Sequence, residues 1–595
     1  MSGRNLRMPV IAALCLVTFG AYFTLKDCGF VNYDDYKYVI DNYNIQGGLT
    51  LDGVLWALKT SYFSYWHPLT WISHMADISL YGLNPHGHHL SSLLIHVGAV
   101  TAVFLFLNYA TGRLWQSALV AALFALHPIN VESVAWVSER KNVLCALFWF
   151  ITAAAYVYYA RGPAFSRYVI VLLCYLFALM SKPMAVTLPV MMLILDYWPL
   201  ARVRGNGKMN GLLVLEKLPF FVLSALSSAL TIYGQAKNEA VASLTESSLW
   251  FRLSSAALSY MTYLGKAFWP TALCVFYPYK EISSPWPVVL SAAALVVITG
   301  AAVWIRKTQP YVLAGWLWFL VTLVPVLQFV QTSAAPVADR YAYIPFAGIF
   351  IIVSWGIFDF FKNNRTIIPV FAAALLLPLA LLTYRQTGYW RDTGTLFKHA
   401  IDVTENNFLA YNLYGTHLLS TGETDGAIEQ FTRALRILPD YPALNFNMWS
   451  ALIIKGKKAE AAPYFEKSLP YWAVEGESSV FKLGLSYLRQ KNYDTAVEFF
   501  LKVLVINQQN KLIYKYIGMA LMGLHRYEDA LAYIDKGLEA SADNWELYFQ
   551  KGLVLKEMGR REDAVLNFKE AQRLAPHSQN PGPNIETMLK SVQTQ

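Results

Sequence analysis

Apolar runs of membrane length alternate with short polar breaks up to about residue 386; beyond it the pattern becomes that of amphipathic helices at fixed spacing. The first run covers residues 8 to 25. Ten more follow at 90 to 109, 115 to 133, 142 to 160, 167 to 181, 184 to 199, 212 to 232, 285 to 305, 310 to 328, 341 to 360 and 366 to 384. A helix of about 20 apolar residues crosses the hydrocarbon core of a bilayer, so these read as about eleven spans. Residues 250 to 277 read as a re-entrant pair or an interfacial amphipathic helix. Together with the short runs flanking Ser181 and Lys182 they allow up to about thirteen spans without altering the topology.

After the junction the register follows by arithmetic. Gly484, Gly518 and Gly552 recur every 34 residues, and Ala496, Ala530 and Ala564 lie twelve positions after them. This is the tetratricopeptide period, in which the second helix of each pair packs on the first. Gly415 with Ala427 and Phe431, and Trp449 with Ala461 and Phe465, extend it to about five units; Phe500, Ile534 and Phe568 hold the equivalent large position. The predicted fold is all-α, a polytopic helical domain over 1–386 followed by a soluble α-solenoid. Its first outer loop is 26–90, its linker with a first helix 387–407, its repeats 408–580 and its tail 581–595. Stacked pairs form a concave groove suited to extended peptides or partner helices.

Composition agrees. The chain is 56% hydrophobic with a mean hydropathy of +0.35, too apolar for an ordinary soluble protein. The net charge of +9 belongs to loops rather than to a nucleic-acid surface. Arg4 and Arg7 precede the first run, and Arg113, Arg161, Arg167, Arg202, Arg204, Lys208, Arg306, Lys307, Lys362 and Arg365 fall in alternate loops. The positive-inside rule then makes the N-terminus cytoplasmic and, with an odd number of spans, puts the repeats outside. The first run lacks a small-residue cleavage site and reads as a retained helix. Five cysteines, an odd number with three in apolar runs, imply no disulfide framework.

The predicted outer ends hold the chemistry. The long first loop opens on Phe30-Val31-Asn32-Tyr33-Asp34-Asp35. Adjacent carboxylates resist joint ionisation, so one of them can serve as a base for a hydroxyl while the other orients loop or acceptor. With them come Tyr65, Trp66, His67, Trp71, His86, His88, His89, His127, Glu132, Glu139, Arg140, Lys141, Lys182, Asp339 and Arg340. His127 before Pro128 is expected to end a helix, and Glu132 and Glu139 to tether Arg140 or Lys141. His86, His88 and His89 crowd within four residues, but zinc needs further ligands at matched distance, and no metal is assigned.

Taken in order, the acid pair, Pro68-Leu69-Thr70, Leu83-Asn84-Pro85, His127-Pro128, Ser181-Lys182 and Asp339-Arg340-Tyr341 resemble the transmembrane and tetratricopeptide-repeat protein O-mannosyltransferases, with bacterial relatives, within the GT-C glycosyltransferases. The resemblance covers essentially the whole chain. Eukaryotic members usually carry Arg at position 67 and Glu at positions 339 and 183, where this chain has His67, Asp339 and Pro183.

The resemblance implies an inverting, cofactor-independent and metal-independent transfer of a mannose-like hexose from a polyprenyl phosphate to Ser or Thr hydroxyls of a secreted or envelope protein recruited by the repeats. Asp35, or failing it Asp34, is then the base. Arg340 holds the donor phosphate, with Arg140 and Lys182 as alternates; His67, His88, His89, Trp66, Asp339, Glu132 and His127 bind substrate. The implied setting is a bacterial inner membrane with the repeats in the periplasm. Two other readings stand beside this one: a GT-C transferase acting on a glycan or lipid, and a noncatalytic membrane-anchored assembly factor.

Overall fold

Each predicted apolar segment is helical, and the described residues contain no strand. The computed structural model describes residues 6–203, 211–237, 248–279, 282, 284–327, 335–471, 477–489, 491–506, 513–574 and 584–593; Arg4, Arg204 and Lys208 lie outside them.

Among the described residues, five helices are long and apolar enough to cross a bilayer alone: Pro85–Thr111, Val137–Arg161, Leu218–Gln235, Trp286–Lys307 and Arg365–Gly388. Leu114–Leu126 and Pro128–Ala135 make a sixth if taken as one span, bent by 54°. The bend has a local cause: His127 precedes proline and adopts the extended φ −77°, ψ 124°, because the proline ring crowds a helical residue before it. The other predicted segments are met by shorter apolar helices, Arg7–Ala21, Phe165–Ser181, Pro183–Tyr197, Pro310–Val326 and Phe346–Phe360. At 1.5 Å per residue these run about 22–26 Å, short of the apolar core. Among the described residues, five or six helices are thus long and apolar enough to cross alone, and the shorter five account for the rest of the eleven predicted segments.

Residues 250 to 277 resolve into helix Leu249–Phe268 and an irregular strap. The helix is amphipathic with its polar side inward: Arg252, Ser254, Ser255, Ser259 and Lys266 are buried, while Leu249, Trp250, Leu253 and Phe268 are exposed. That is the arrangement of a helix facing lipid outside and a polar interior within.

Helix boundaries follow the local sequence. Asn84 caps Pro85–Thr111 by accepting from the His86 N–H, Pro85 takes the first turn where no N–H is needed, and Gly112 ends the helix at φ 70°. Asp196, Lys217 and Tyr156, which are buried, form an ion network with the partly buried Arg202 and Glu216, Arg202 Nη1 lying 2.7 Å from Glu216.

Backbone contacts divide the chain into Met1–Ile437 and Leu438–Gln595. The first unit includes helix pair Phe408–Ser420 and Thr424–Ile437; the second holds Pro442–Ile454 with Lys458–Tyr471, Glu477–Arg489 with Tyr493–Ile506, Ile513–Gly523 with Tyr527–Ala540, and Trp545–Glu557 with Arg561–Leu574. The repeat register is visible in the packing. A β-carbon at Gly415, Gly518 or Gly552 would meet Phe431 at 2.6 Å, Ile534 at 2.7 Å and Phe568 at 2.6 Å, and Trp449 meets Phe465 with ring centroids 5.5 Å apart. Within the predicted tail, helix Asn584–Gln593 buries Ile585, Leu589 and Val592 against Leu555 and Phe568. It covers the apolar face that a last repeat leaves open.

Candidate active site

The acid pair leaves the first helix through a short turn, Phe23–Asp27, and is held by segments remote in sequence. Gly29 N–H donates to the Arg391 carbonyl at 2.8 Å, and Asn32 N–H to Thr393 Oγ1 at 2.8 Å. Tyr33 stacks on Trp136 at 5.0 Å and 11°. The turn therefore cannot slide, and its two carboxylates have separate fates.

Asp35 points inward and is fully buried. One oxygen accepts Ser138 N–H at 2.9 Å and Ser138 Oγ–H at 2.6 Å, and the other accepts Val31 N–H at 3.0 Å. Burial pushes its pKa up to about 6 despite these bonds. Asp34 is half-buried, and its carboxylate has no hydrogen-bond or ion-pair partner among the described residues. Burial raises its pKa too, and the charges acting on it include Lys141, Arg340, Glu139 and Lys37. The carboxylate open to a reactant is thus Asp34. Asp35, expected to come first, is fully buried and engaged by three donors, whereas Asp34 is not.

A cluster of ion pairs stands beside Asp34. Arg340 reaches Glu132 through Nη1 and through its own backbone N–H, the latter at 2.8 Å. Its Nε lies 3.6 Å from Glu139, and its guanidinium lies over Trp136 at 5.2 Å. Glu139 also takes Lys141 at 3.0 Å and Lys182 at 3.2 Å. Asn142 ties the group together, accepting from Lys182 at 2.8 Å and donating to the Arg340 carbonyl at 2.7 Å. Three cations share two glutamates, so the cluster keeps a net positive charge next to a free carboxylate. Such a pairing suits an anionic leaving group and a proton acceptor on one substrate.

Several expected binders lie elsewhere. Arg140 is 1% exposed; it is spent on Asp77 at 2.7 Å, the His88 carbonyl at 2.7 Å and Ser92 at 2.9 Å, so it is not an alternate phosphate ligand. His88 bonds the Gly82 carbonyl at 3.0 Å, His89 the Gly29 carbonyl at 3.2 Å and His127 the Ala267 carbonyl at 3.3 Å. These are ties between loops and helices, made by buried rings. His67 is buried between Trp71 and Tyr38, and burial pushes its pKa well below the ordinary value. Trp66 donates to the Leu58 carbonyl at 2.9 Å, inside the first loop. Asp339 accepts from Tyr277 at 2.8 and 3.0 Å with Lys266 at 3.4 Å, which orients the neighbouring Arg340 rather than offering a ligand. The histidine crowd also separates: His86 is exposed, while His88 meets His74 and Asp77.

Two features escaped the sequence. One is that Glu139, beyond its expected tie to Lys141, also gathers Lys182 and Arg340; the run Ser138-Glu139-Arg140-Lys141-Asn142, five polar side chains at the start of an apolar helix, is the signal that points to it. The strap after Leu249–Phe268 is the other. Its Tyr277 reaches Asp339, while its Phe276 and Leu273 carbonyls accept from Asn407 at 3.0 Å and His399 at 2.9 Å. The strap thus links the site to the start of the first repeat pair. A cavity of about 1300 Å³ near Arg113, Trp355 and Arg365 takes no residue from this cluster.

Fold and site together define a multi-pass helical membrane protein carrying tetratricopeptide repeats. The tetratricopeptide-repeat family model matches residues 451–511 and 517–579. Within that class the chain is similar to the TMTC proteins. The mouse protein O-mannosyl-transferase TMTC3 is 22% identical over 546 residues, covering 81% of this chain and 57% of that protein. The human protein O-mannosyl-transferase TMTC4 is 25% identical over 494 residues, covering 71% and 65%. The chain thus spans about 57–65% of the length of these relatives. Among solved structures, the TPR protein YrrB matches 33% of this chain and 98% of its own at 17% identity and a TM-score of 0.24.

Proposed function

We propose that this chain is a membrane glycosyltransferase that moves a mannose-like hexose from a polyprenyl phosphate to Ser or Thr hydroxyls of a protein acceptor. The observation that carries the reading is the free Asp34 carboxylate beside the cations of Lys141 and Arg340. Asp34 takes the proton of the acceptor hydroxyl as its oxygen attacks the anomeric carbon. The bond from that carbon to the phosphate oxygen breaks, and the polyprenyl phosphate leaves with the electron pair. Attack opposite the leaving group inverts the centre. Phosphate needs little acid help but does need positive charge, which Arg340, Lys141 and Lys182 supply. A carboxylate whose pKa burial has raised is a stronger base, once ionised, than one in water.

The N-terminus is assigned to the cytoplasm and the site and repeats to the opposite side, consistent with Arg113, Arg161, Arg167, Arg306, Lys307, Lys362 and Arg365 at the other ends of the helices. The repeats recruit the acceptor, and the strap at Leu273–Tyr277 is the route by which their first pair bears on Asp339 and Arg340. Intact-mass analysis of envelope proteins, in a deletion strain carrying wild type or Asp34→Asn, tests the reading. A hexose-sized mass restored by wild type alone supports it. Equal restoration by both refutes Asp34 as base. If loss of residues 438–595 leaves transfer intact, the acceptor is a glycan or lipid; if Asp34→Asn with Arg340→Ala preserves the phenotype, the chain is an assembly factor.

A further inference from the structure

A second polar group lies between the helix Pro68–Tyr81 and the start of Pro85–Thr111. His74 and Asp77 stand three residues apart on one helix face, and the corner at Gly82 (φ 61°) brings His88, in the first turn of the next helix, against them. One ligand atom from each of the three lies within 4.8 Å of the others. All are buried, with His74 and His88 at 0% and Asp77 at 3% exposure.

The hydrogen bonds decide what this group lacks. His88 Nε2 lies 3.0 Å from the Gly82 carbonyl, which can only accept, so Nε2 carries the proton and the neutral ring presents a lone pair at Nδ1. That Nδ1 faces Asp77 Oδ2 at 3.4 Å. A lone pair and a carboxylate at this distance call for a cation between them. Neither ring nitrogen of His74 has a hydrogen-bond partner, and His88 Nδ1 has none. A neutral His74 ring, buried with no partner on either nitrogen, has a lone pair to give. Unpaired buried nitrogens of this kind are costly unless something binds them.

We propose that His74, Asp77 and His88 bind a first-row divalent cation of the zinc class, which joins the two helices. Two imidazoles and a carboxylate are a ligand set that zinc takes, a fourth position being left to water or hydroxide. Bonds of about 2.0–2.1 Å put tetrahedral zinc ligands roughly 3.3 Å apart, close to the 3.4 Å between His88 and Asp77. The surrounding contacts are those that metal ligands need. Gly82 sets the His88 tautomer, and Ser91 at 2.7 Å and Arg140 at 2.7 Å orient the Asp77 carboxylate. Each carboxylate oxygen has two acceptor sites, so Asp77 Oδ2 can serve Arg140 and the metal together. Arg140 adds positive charge, which lowers the pKa of the fourth ligand and favours hydroxide. The three ligands are none of the groups assigned to transfer, and the proposal holds whether or not the chain transfers sugar.

The test uses the full chain without a histidine tag, purified in detergent, loaded with Zn²⁺ and freed of excess, with bound metal measured by mass spectrometry. Wild type and the exposed-residue control His86→Ala are expected to hold about one zinc per chain, and His74→Phe and His88→Phe below about a tenth of that. Wild type without bound zinc, or both variants loaded like wild type, overturns the site. If the variants do not fold, the wild-type chain loaded with Co²⁺ decides. Strong visible absorption of a four-coordinate ion with nitrogen and oxygen ligands supports the proposal, and its absence overturns it.

Discussion

Removing the charge of Glu139 is the sharpest single perturbation of the ion cluster. The carboxylate stands 3.0 Å from Lys141, 3.2 Å from Lys182 and 3.6 Å from Arg340, and is itself 3% exposed. Glu139→Gln keeps the volume and one acceptor oxygen but turns an NH₂ toward one of the two ammonium groups. Arg340 keeps Glu132, and Lys141 keeps the Ser138 carbonyl at 2.8 Å and the Tyr38 ring at 4.4 Å. Lys182 is left with the neutral Asn142 oxygen alone. Taking one partner from a buried pair costs about 3–5 kcal/mol, since the other charge stays uncompensated. The value should fall at the upper end, because one anion here serves three cations. Unfolding in detergent, followed through the chain's 18 tryptophans, measures it, and Lys182→Met added to Glu139→Gln should recover part of the loss because the stranded ammonium is gone. A Glu139→Gln chain within about 1 kcal/mol of wild type would mean that the cations do not depend on Glu139, and the cluster as described would be wrong.

Asp34→Asn should leave stability near that of wild type, since no partner is lost, while transfer falls by about 10²–10⁴-fold, the usual worth of a positioned base; parallel unfolding and transfer assays check both. Transfer should also decline on acidification at a pH above the ordinary carboxylate value, because burial raises the Asp34 pKa and the base acts ionised. For Asp35 the sign concerns stability: with a folded pKa of about 6, the folded chain takes up a proton before the unfolded chain does. Wild type should therefore gain stability as pH falls through about 6, and Asp35→Asn should lack that gain. Gly552→Ala should destabilise the repeats by about 1–3 kcal/mol, because its β-carbon would sit 2.6 Å from the Phe568 ring; helical content against temperature reads this out.

Periodicity carried much of the architecture. A 34-residue spacing can place Gly518 opposite Ile534 because a repeat has only local contacts to satisfy, and apolar run lengths reveal helices because every backbone polar group in a bilayer must pair within its own segment. His127 shows the same locality, its helix ending where proline forbids it to continue. The span number did not follow as directly, since apolar helices of 15 residues such as Arg7–Ala21 and Phe346–Phe360 are ambiguous by length alone.

The amino-acid sequence by itself determined the helical class, the repeat register and the inventory of polar groups crowding one set of helix ends. Tertiary structure alone decided which of those groups are available. Asp34 and Asp35 are chemically identical neighbours, and the approach of Ser138, more than a hundred residues away, adds two donors to the one that Val31 gives Asp35. Arg140 and Arg340 are equally basic, yet Asp77 confines the first while the second stands beside the free carboxylate. Burial and partner distance set whether a charged group is scaffold or reagent, and neither quantity exists until remote segments meet.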